Sequence, residues 1–259
     1  MSLETEIFQS ALNKAQGGNT DSMVEVGNLY MSGEGVQEDL KSAFLWFKKA
    51  ALLGNALAMV RLAFCFLNGK GVACNEKEAF NWSKKAADNG NLMGMVSTAF
   101  SYRNGIGADK DPAKAAYYFK KAADLGEPDC ERIMAEIYLE GNGVPQDVKK
   151  GAEYMINAAN DCDCSSSKVE LGMLYEEGKG VIKDEMKAAD LYKEAIAFDE
   201  DAEAQYRLGV LYLEGRGVIR NHTRAQQLFF RSAMQGNEHA VKKLLEMKKQ
   251  NTEIRNNQQ

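Results

Sequence analysis

Gly69-Lys70-Gly71-Val72 decides the fold, because the chain writes this short phrase six times. The other copies are Gly33-Glu34-Gly35-Val36, Gly105-Ile106-Gly107-Ala108, Gly141-Asn142-Gly143-Val144, Gly178-Lys179-Gly180-Val181 and Gly215-Arg216-Gly217-Val218. From one copy to the next the first glycine advances 36, 36, 36, 37 and 37 residues. A fixed period of this length marks an array of stacked repeats, which share one continuous core.

Upstream of each mark lies a helical face. The stretches Val26-Gly27-Asn28-Leu29-Tyr30, Leu171-Gly172-Met173-Leu174-Tyr175 and Leu208-Gly209-Val210-Leu211-Tyr212 are preceded, four residues back, by a small side chain. Across the repeats that residue is Ser22, Ala58, Gly94, Cys130, Ser167 and Ala204. This spacing puts small, apolar and glycine positions on one side of a helix, where a neighbour can approach closely. Downstream, Asp39, Asn75, Asp111, Asp147, Asp184 and Asn221 are of the types that cap a helix start, and Pro112 follows Asp111 at the position where proline is welcome. Small residues come next, then bulky pairs such as Trp46-Phe47, Tyr118-Phe119 and Leu228-Phe229, then Lys-Ala-Ala. Gly54, Gly90, Gly126 and Gly236 close this second helix, and Asn55, Asn91 and Asn237 cap the next first helix. Glu127-Pro128 is a variant of the same start.

Each repeat is therefore a helix, a glycine turn whose valine plugs the gap between helices, a second helix and a short link. Boundaries fall near 19–54, 55–90, 91–126, 127–163, 164–200 and 201–236, with single helices at 3–17 and 237–249. That makes about fourteen helices in one all-α solenoid. Residues 250–259 read as a polar, flexible tail. Asn160 to Ser167 lacks a glycine stop and is one residue longer, and reads as a polar link that changes the local pitch.

Composition agrees with a helical protein and narrows its function. Hydrophobic residues make up 45% and charged residues 27%, with only three prolines. A net charge of −5 disfavours nucleic acid as a partner. No stretch is apolar enough to enter a bilayer, and the start, Met1 to Phe8, lacks the basic region of a secretory signal, so a cytoplasmic place is expected. Cys65, Cys74, Cys130, Cys162 and Cys164 do not recur from repeat to repeat and read as free thiols. Cys162-Asp163-Cys164 invites a metal, but a structural zinc site wants four convergent ligands and no second pair exists, so no metal is expected. The glycine marks follow helices, not strands, and are not a nucleotide fingerprint. Only His222 and His239 are present, neither beside a nucleophile of repeatable geometry, so neither an enzyme activity nor a cofactor is expected.

The combination of a small residue, Leu-Gly-x-Leu-Tyr, Gly-x-Gly-Val, Asp, an aromatic pair and Lys-Ala-Ala resembles the Sel-one-like repeat (SLR) family, over roughly Asn19 to Lys249. The resemblance implies a tetratricopeptide-related, right-handed superhelix of antiparallel helix pairs. It also implies a scaffold or adaptor for protein complexes, a role often met in bacterial signalling, virulence and secretion and also in eukaryotic protein degradation. No catalytic residue set belongs to the family. Some secreted members carry a disulfide in each repeat, which the cysteines here do not match.

With tetratricopeptide geometry, the first helices line a concave groove. The second repeat offers Leu57, Val60, Phe64, Leu67 and Asn68, and the third Met93, Val96, Phe100, Arg103 and Asn104. The fourth offers Asp129, Arg132, Glu136, Leu139 and Glu140, the fifth Ser166, Val169, Met173, Glu176 and Glu177, and the sixth Glu203, Tyr206, Val210, Leu213 and Glu214. A partner protein or peptide is expected to anchor an apolar group near Phe64 and Phe100 and to point basic groups toward Glu140, Glu177 and Glu214. Serine at both Phe64 and Phe100 is expected to abolish capture and spare the helices. An alternative is an immunity or inhibitor protein that blocks a toxin or effector enzyme; a more distant one is a hydrolase with an unrecognised carboxylate site. The chain is expected to be a monomer or a weak homodimer.

Overall fold

The first glycine of each mark ends a helix and the second lets two repeats touch. In the structure, a computed structural model that describes residues 2–161 and 164–256, all twelve glycines of the six marks have positive φ. Gly33, Gly69, Gly105, Gly178 and Gly215 are left-handed C-caps whose N–H donates to the carbonyl four residues back. The second glycine lies against the start of the preceding second helix. A Cβ there would collide with a backbone carbonyl: that of Glu4 for Gly35, Leu40 for Gly71, Glu76 for Gly107, Pro112 for Gly143, Val148 for Gly180 and Glu185 for Gly217. Two demands, a left-handed φ and close approach to backbone, thus meet at one residue, and only glycine satisfies both.

Among the described residues there are fourteen α-helices and no strand. They are α1 (Leu3–Gln16), α2 (Thr20–Ser32), α3 (Leu40–Leu52), α4 (Ala56–Asn68), α5 (Glu76–Asp88), α6 (Leu92–Asn104) and α7 (Pro112–Ala123). Then follow α8 (Pro128–Glu140), α9 (Val148–Asp161), α10 (Ser165–Glu177), α11 (Glu185–Asp199), α12 (Ala202–Glu214), α13 (His222–Met234) and α14 (Glu238–Asn256). α2 to α13 form six hairpins, flanked by α1 and α14, so the fold is an all-α solenoid. By packing, the chain divides into two compact units, Met1–Cys130 with Asn142–Val144, and Glu131–Gly141 with Pro145–Gln259.

One backbone hydrogen bond staples every hairpin. The capping residue's N–H donates to the aromatic residue nine positions earlier: Asp39 to Tyr30, Asn75 to Phe66, Asp111 to Tyr102, Asp147 to Tyr138, Asp184 to Tyr175 and Asn221 to Tyr212, all at 2.8–2.9 Å. The side chains of the same six residues accept from the first-turn amides of the helices they start. In four hairpins a cation also sits over that tyrosine: Lys114 over Tyr102, Lys150 over Tyr138, Lys187 over Tyr175 and Arg224 over Tyr212, at 4.3–5.6 Å.

Inside each hairpin the bulky residue of the second helix fills the space beside the first. Phe47 lies on Gly27, Tyr192 on Gly172 and Phe229 on Gly209, where a Cβ would strike the ring. Phe47, Tyr192 and Phe229 are fully buried, as is Phe119 in the third hairpin. Val36 and Val72 pack against the core of the first unit, Val181 and Val218 against that of the second.

Two boundaries differ from those read in the sequence. α14 runs past Lys249 to Asn256, because no glycine or proline interrupts it; residues 257–259 lie outside the described residues. The expected polar link is largely helical: Asn160 and Asp161 finish α9, and Ser165, Ser166 and Ser167 open α10. The fifth hairpin has no glycine stop, and Glu200 takes the left-handed cap with φ of 57°. Its carbonyl accepts from Gln205 Nε2 at 2.9 Å and Gln235 Nε2 at 2.8 Å, which holds the unusual backbone in place.

Candidate functional site: an apolar cleft over α5

α4 and α6 are successive first helices, and α5 lies behind them. Between them opens a cleft of ≈ 350 Å³. Val60, Phe64 and Leu67 of α4 and Met93, Val96 and Phe100 of α6 line it. These are six of the ten positions expected from the second and third repeats. Large apolar side chains at its mouth stay in solvent: Phe64 and Leu67 are each 44% exposed and Met93 is 55% exposed. Leu57, 46% exposed, extends the apolar strip outside the cleft, while Asn68 and Asn104 are exposed at the helix ends. Asn68 folds back, its Nδ2 donating to the Phe64 carbonyl at 2.9 Å.

Phe100 plays a different part from Phe64. It is half-buried, and its ring stands edge-on to the fully buried Phe119 at 5.1 Å. Serine at Phe100 would therefore strip a core ring of its neighbour as well as alter the cleft.

The cleft has on its floor a residue that sequence reading passed over. Its floor is Ala79, Phe80 and Ser83 of α5, with Ala63 of α4 alongside. Ser83 occupies the register held by Phe47, Phe119, Met155, Tyr192 and Phe229 in the other hairpins. Those five side chains are buried and plug their hairpins. The second hairpin has no such plug, and Ser83, itself buried, lies on the floor of the cleft. Laying the six repeats one under another reveals the serine; the motif pairs alone do not.

Charge at the cleft is positive. No aspartate or glutamate lines it, whereas Arg61 does, and the Arg103 guanidinium lies over the lining ring of Phe100 at 5.4 Å. Both arginines are exposed, and among the described residues neither belongs to an ion pair. Arg61 also lies near Cys65, but burial dominates there and pushes that thiol up to about 11.

In the second unit the expected acidic positions behave differently. Glu214 is taken by Arg216 at 2.7 Å, and Glu176 by Arg216 at 3.0 Å and by the Tyr192 hydroxyl at 2.9 Å. Arg216 reaches Glu185 too, at 3.2 Å, and Arg207 holds Glu203 at 2.8 Å. Burial first, and then Glu176, raises the Tyr192 phenol well above the usual range. Arg132 pairs with Glu136 at 2.5 Å and Glu170 at 3.4 Å. Glu176, Glu203, Glu214 and Glu136 thus already have internal cations. Leu139 and Val169 are buried in the core of this unit, and Met173 packs against it. Asp129, Glu140, Ser166 and Glu177 are exposed, and Leu213 is half-buried. Tyr206 and Val210, with Glu176, Glu203, Arg207 and His239, line a second hollow of ≈ 290 Å³.

Among the described residues no group of three or more His, Cys, Asp or Glu side chains is placed to hold a metal. Cys162 and Asp163 of the Cys-Asp-Cys stretch lie outside the described residues. Among the described residues no disulfide joins Cys65, Cys74, Cys130 or Cys164 to one another. Among the described residues no helix is long and apolar enough to cross a membrane.

Helix hairpins of similar length, all stapled and all but the second plugged, define a repeat solenoid that offers surface and cleft. The profile of the Sel1 repeat matches six times, at 20–55, 56–91, 93–127, 128–161, 165–197 and 202–237, and the chain belongs to the Sel1 repeat family. It is similar to a protective antigen of uropathogenic Escherichia coli that displays an SLR fold, at 31% identity and a TM-score of 0.85 over 92% of this chain. The chain spans 50% of the length of that protein. It is similar also to a Sel1 repeat protein from Oxalobacter formigenes, at 30% identity and a TM-score of 0.68, covering 83% of this chain and 88% of that one. No curated protein sequence matches.

Proposed function

We propose that the protein is a scaffold or adaptor that holds a partner protein non-covalently, and that the cleft between α4 and α6 is where the partner is gripped. One observation carries this reading. Exposed Phe64, Leu67 and Met93, from two successive hairpins, converge on one open apolar cleft of ≈ 350 Å³. Scattered exposed apolar residues are ordinary, but a contiguous patch around a concavity marks an interaction site. A few such side chains supply most of the energy of an interface.

The test replaces Phe64 and Met93 by serine together, sparing Phe100. Both are exposed, so helical content and melting temperature should stay close to wild type. Affinity capture from native lysate, wild type and variant side by side, should show co-purifying proteins that the variant loses. Identical sets of captured proteins would refute the assignment of the cleft.

A further inference from the structure

We infer that the open place over Ser83 is a socket for one aromatic side chain of the partner, and that a carboxylate lies beside that aromatic residue in the same partner segment. The inference rests on the binding role proposed above and narrows it to a chemistry.

Size is the first argument. Four of the other five hairpins carry an aromatic ring in the register of Ser83, and each of those rings is buried. The second hairpin keeps the helix geometry and lacks the ring. An apolar cavity of about 150 Å³ accepts a benzene ring, and ≈ 350 Å³ over Ser83 leaves room for a larger one with its linker. The walls suit a ring: Phe80 and Phe100 offer aromatic faces and edges, and Met93 a polarizable thioether.

Charge is the second argument. A partner's ring must arrive with its own backbone and neighbours, which meet the mouth. There, among the described residues, Arg61 and Arg103 form no ion pair with a carboxylate, and no carboxylate lines the cleft. Guanidinium forks prefer carboxylates and hold them in two-point contact. A lysine-rich or arginine-rich segment would be repelled, so the partner segment is acidic and aromatic.

The test uses the full chain and a defined probe, 3-phenylpropionate, which has the ring and the carboxylate and nothing else. Methyl resonances of Met93 and Ile106, both in the cleft wall, report binding by NMR. The probe should shift both methyls saturably. 3-Phenylpropanamide, the same ring without charge, should bind about tenfold more weakly. Ser83→Phe, which supplies the missing plug, should abolish the shifts, and Ser83→Met, the choice made at Met155, should do the same if the phenylalanine variant fails to fold.

A second arm pans a random dodecapeptide library against the wild type. Recovered peptides should carry an aromatic residue within about one helical turn of Asp or Glu and should lose binding to Ser83→Phe. Methyl shifts that persist in a folded Ser83 variant overturn the socket, as does silence of both methyls toward the probe. Peptides lost with Phe64→Ser/Met93→Ser but indifferent to Ser83→Phe overturn the socket and leave the cleft as the docking surface. Peptides indifferent to both variants overturn both readings. A dimer of the chain that dissociates in Ser83→Phe would make a second copy the occupant and end the partner assignment.

Discussion

Gly69 and Gly71 stand two residues apart in the same turn, yet alanine should not cost the same at both. At Gly69 the φ is +66°, and the nearest atom to an added Cβ is the Val72 carbonyl oxygen at 3.6 Å, an ordinary contact. Only the left-handed backbone is penalised, by about 1–2 kcal/mol. At Gly71 the φ is +71°, and the added Cβ would also overlap the Leu40 carbonyl, with the Lys41 backbone at its side. Those are backbone atoms at the start of α3 and cannot rotate away. Moving α3 against the next hairpin adds an overpacking cost of about 1–3 kcal/mol, so Gly71→Ala should lose about 2–5 kcal/mol in all. Urea unfolding followed by circular dichroism at the helix band measures both variants against wild type, read as transition midpoints because a repeat array need not unfold in one step. Gly54→Ala is the control, since its φ is +92° and nothing lies within 4 Å of the added carbon. Equal losses at Gly69 and Gly71 would show that the second glycine serves only the turn and does not seat one hairpin on the last.

Three further outcomes are expected. Burial pushes the Cys65 thiol up to about 11 and the Cys130 thiol up to about 12, so exposed Cys74 should be alkylated by iodoacetamide well before either, as peptide mass mapping would show. Asp39 and Asp111 have carboxyls held below their ordinary value, Asp39 chiefly by the Ser42 hydroxyl and Asp111 chiefly by the Lys114 ammonium. A depressed folded value means stability that is present at neutral pH and lost as pH falls through it. The Asp39→Asn/Asp111→Asn variant keeps both caps and drops that dependence, so its urea midpoint should lie below wild type at pH 7 and meet it near pH ~2. Arg216→Ala leaves Glu176 and Glu185 short of a cation; the guanidinium is 31% exposed, so screening limits the loss to about 1–2 kcal/mol by urea melts. Arg216→Lys should restore only part of it, because one ammonium cannot reach three carboxylates.

Periodicity made the architecture legible before any coordinates. The caps at Asp39, Asn75 and Asp111 and the glycine stops could be placed because each has a local cause, a side chain or a backbone angle that one residue type supplies. The apolar wall of the cleft was legible too, since Val60, Phe64, Met93 and Val96 follow helical spacing. What escaped was long-range. Glu214 looked available until Arg216, an unremarkable filler between two glycines, folded onto it. Leu139 and Val169 shared the register of expected groove positions yet lie in the core, because in these helices the neighbour covers that face. Ser83 is the instructive case: its effect is the absence of a bulky plug, and an absence shows only against five copies that have one.

The meeting of each second glycine with a carbonyl of the preceding hairpin bears on how such a chain can grow or shrink. Donor glycine and receiving helix start are always nearly one period apart, as with Gly71 and Leu40 or Gly217 and Glu185. A gene segment of one whole period, wherever its ends fall, carries matching halves of that joint. Duplication or loss of one period between similar copies therefore leaves every joint intact, whereas an insertion of a few codons inside α3 or α5 breaks one. Length can drift by whole repeats under recombination while the seam between neighbours is preserved.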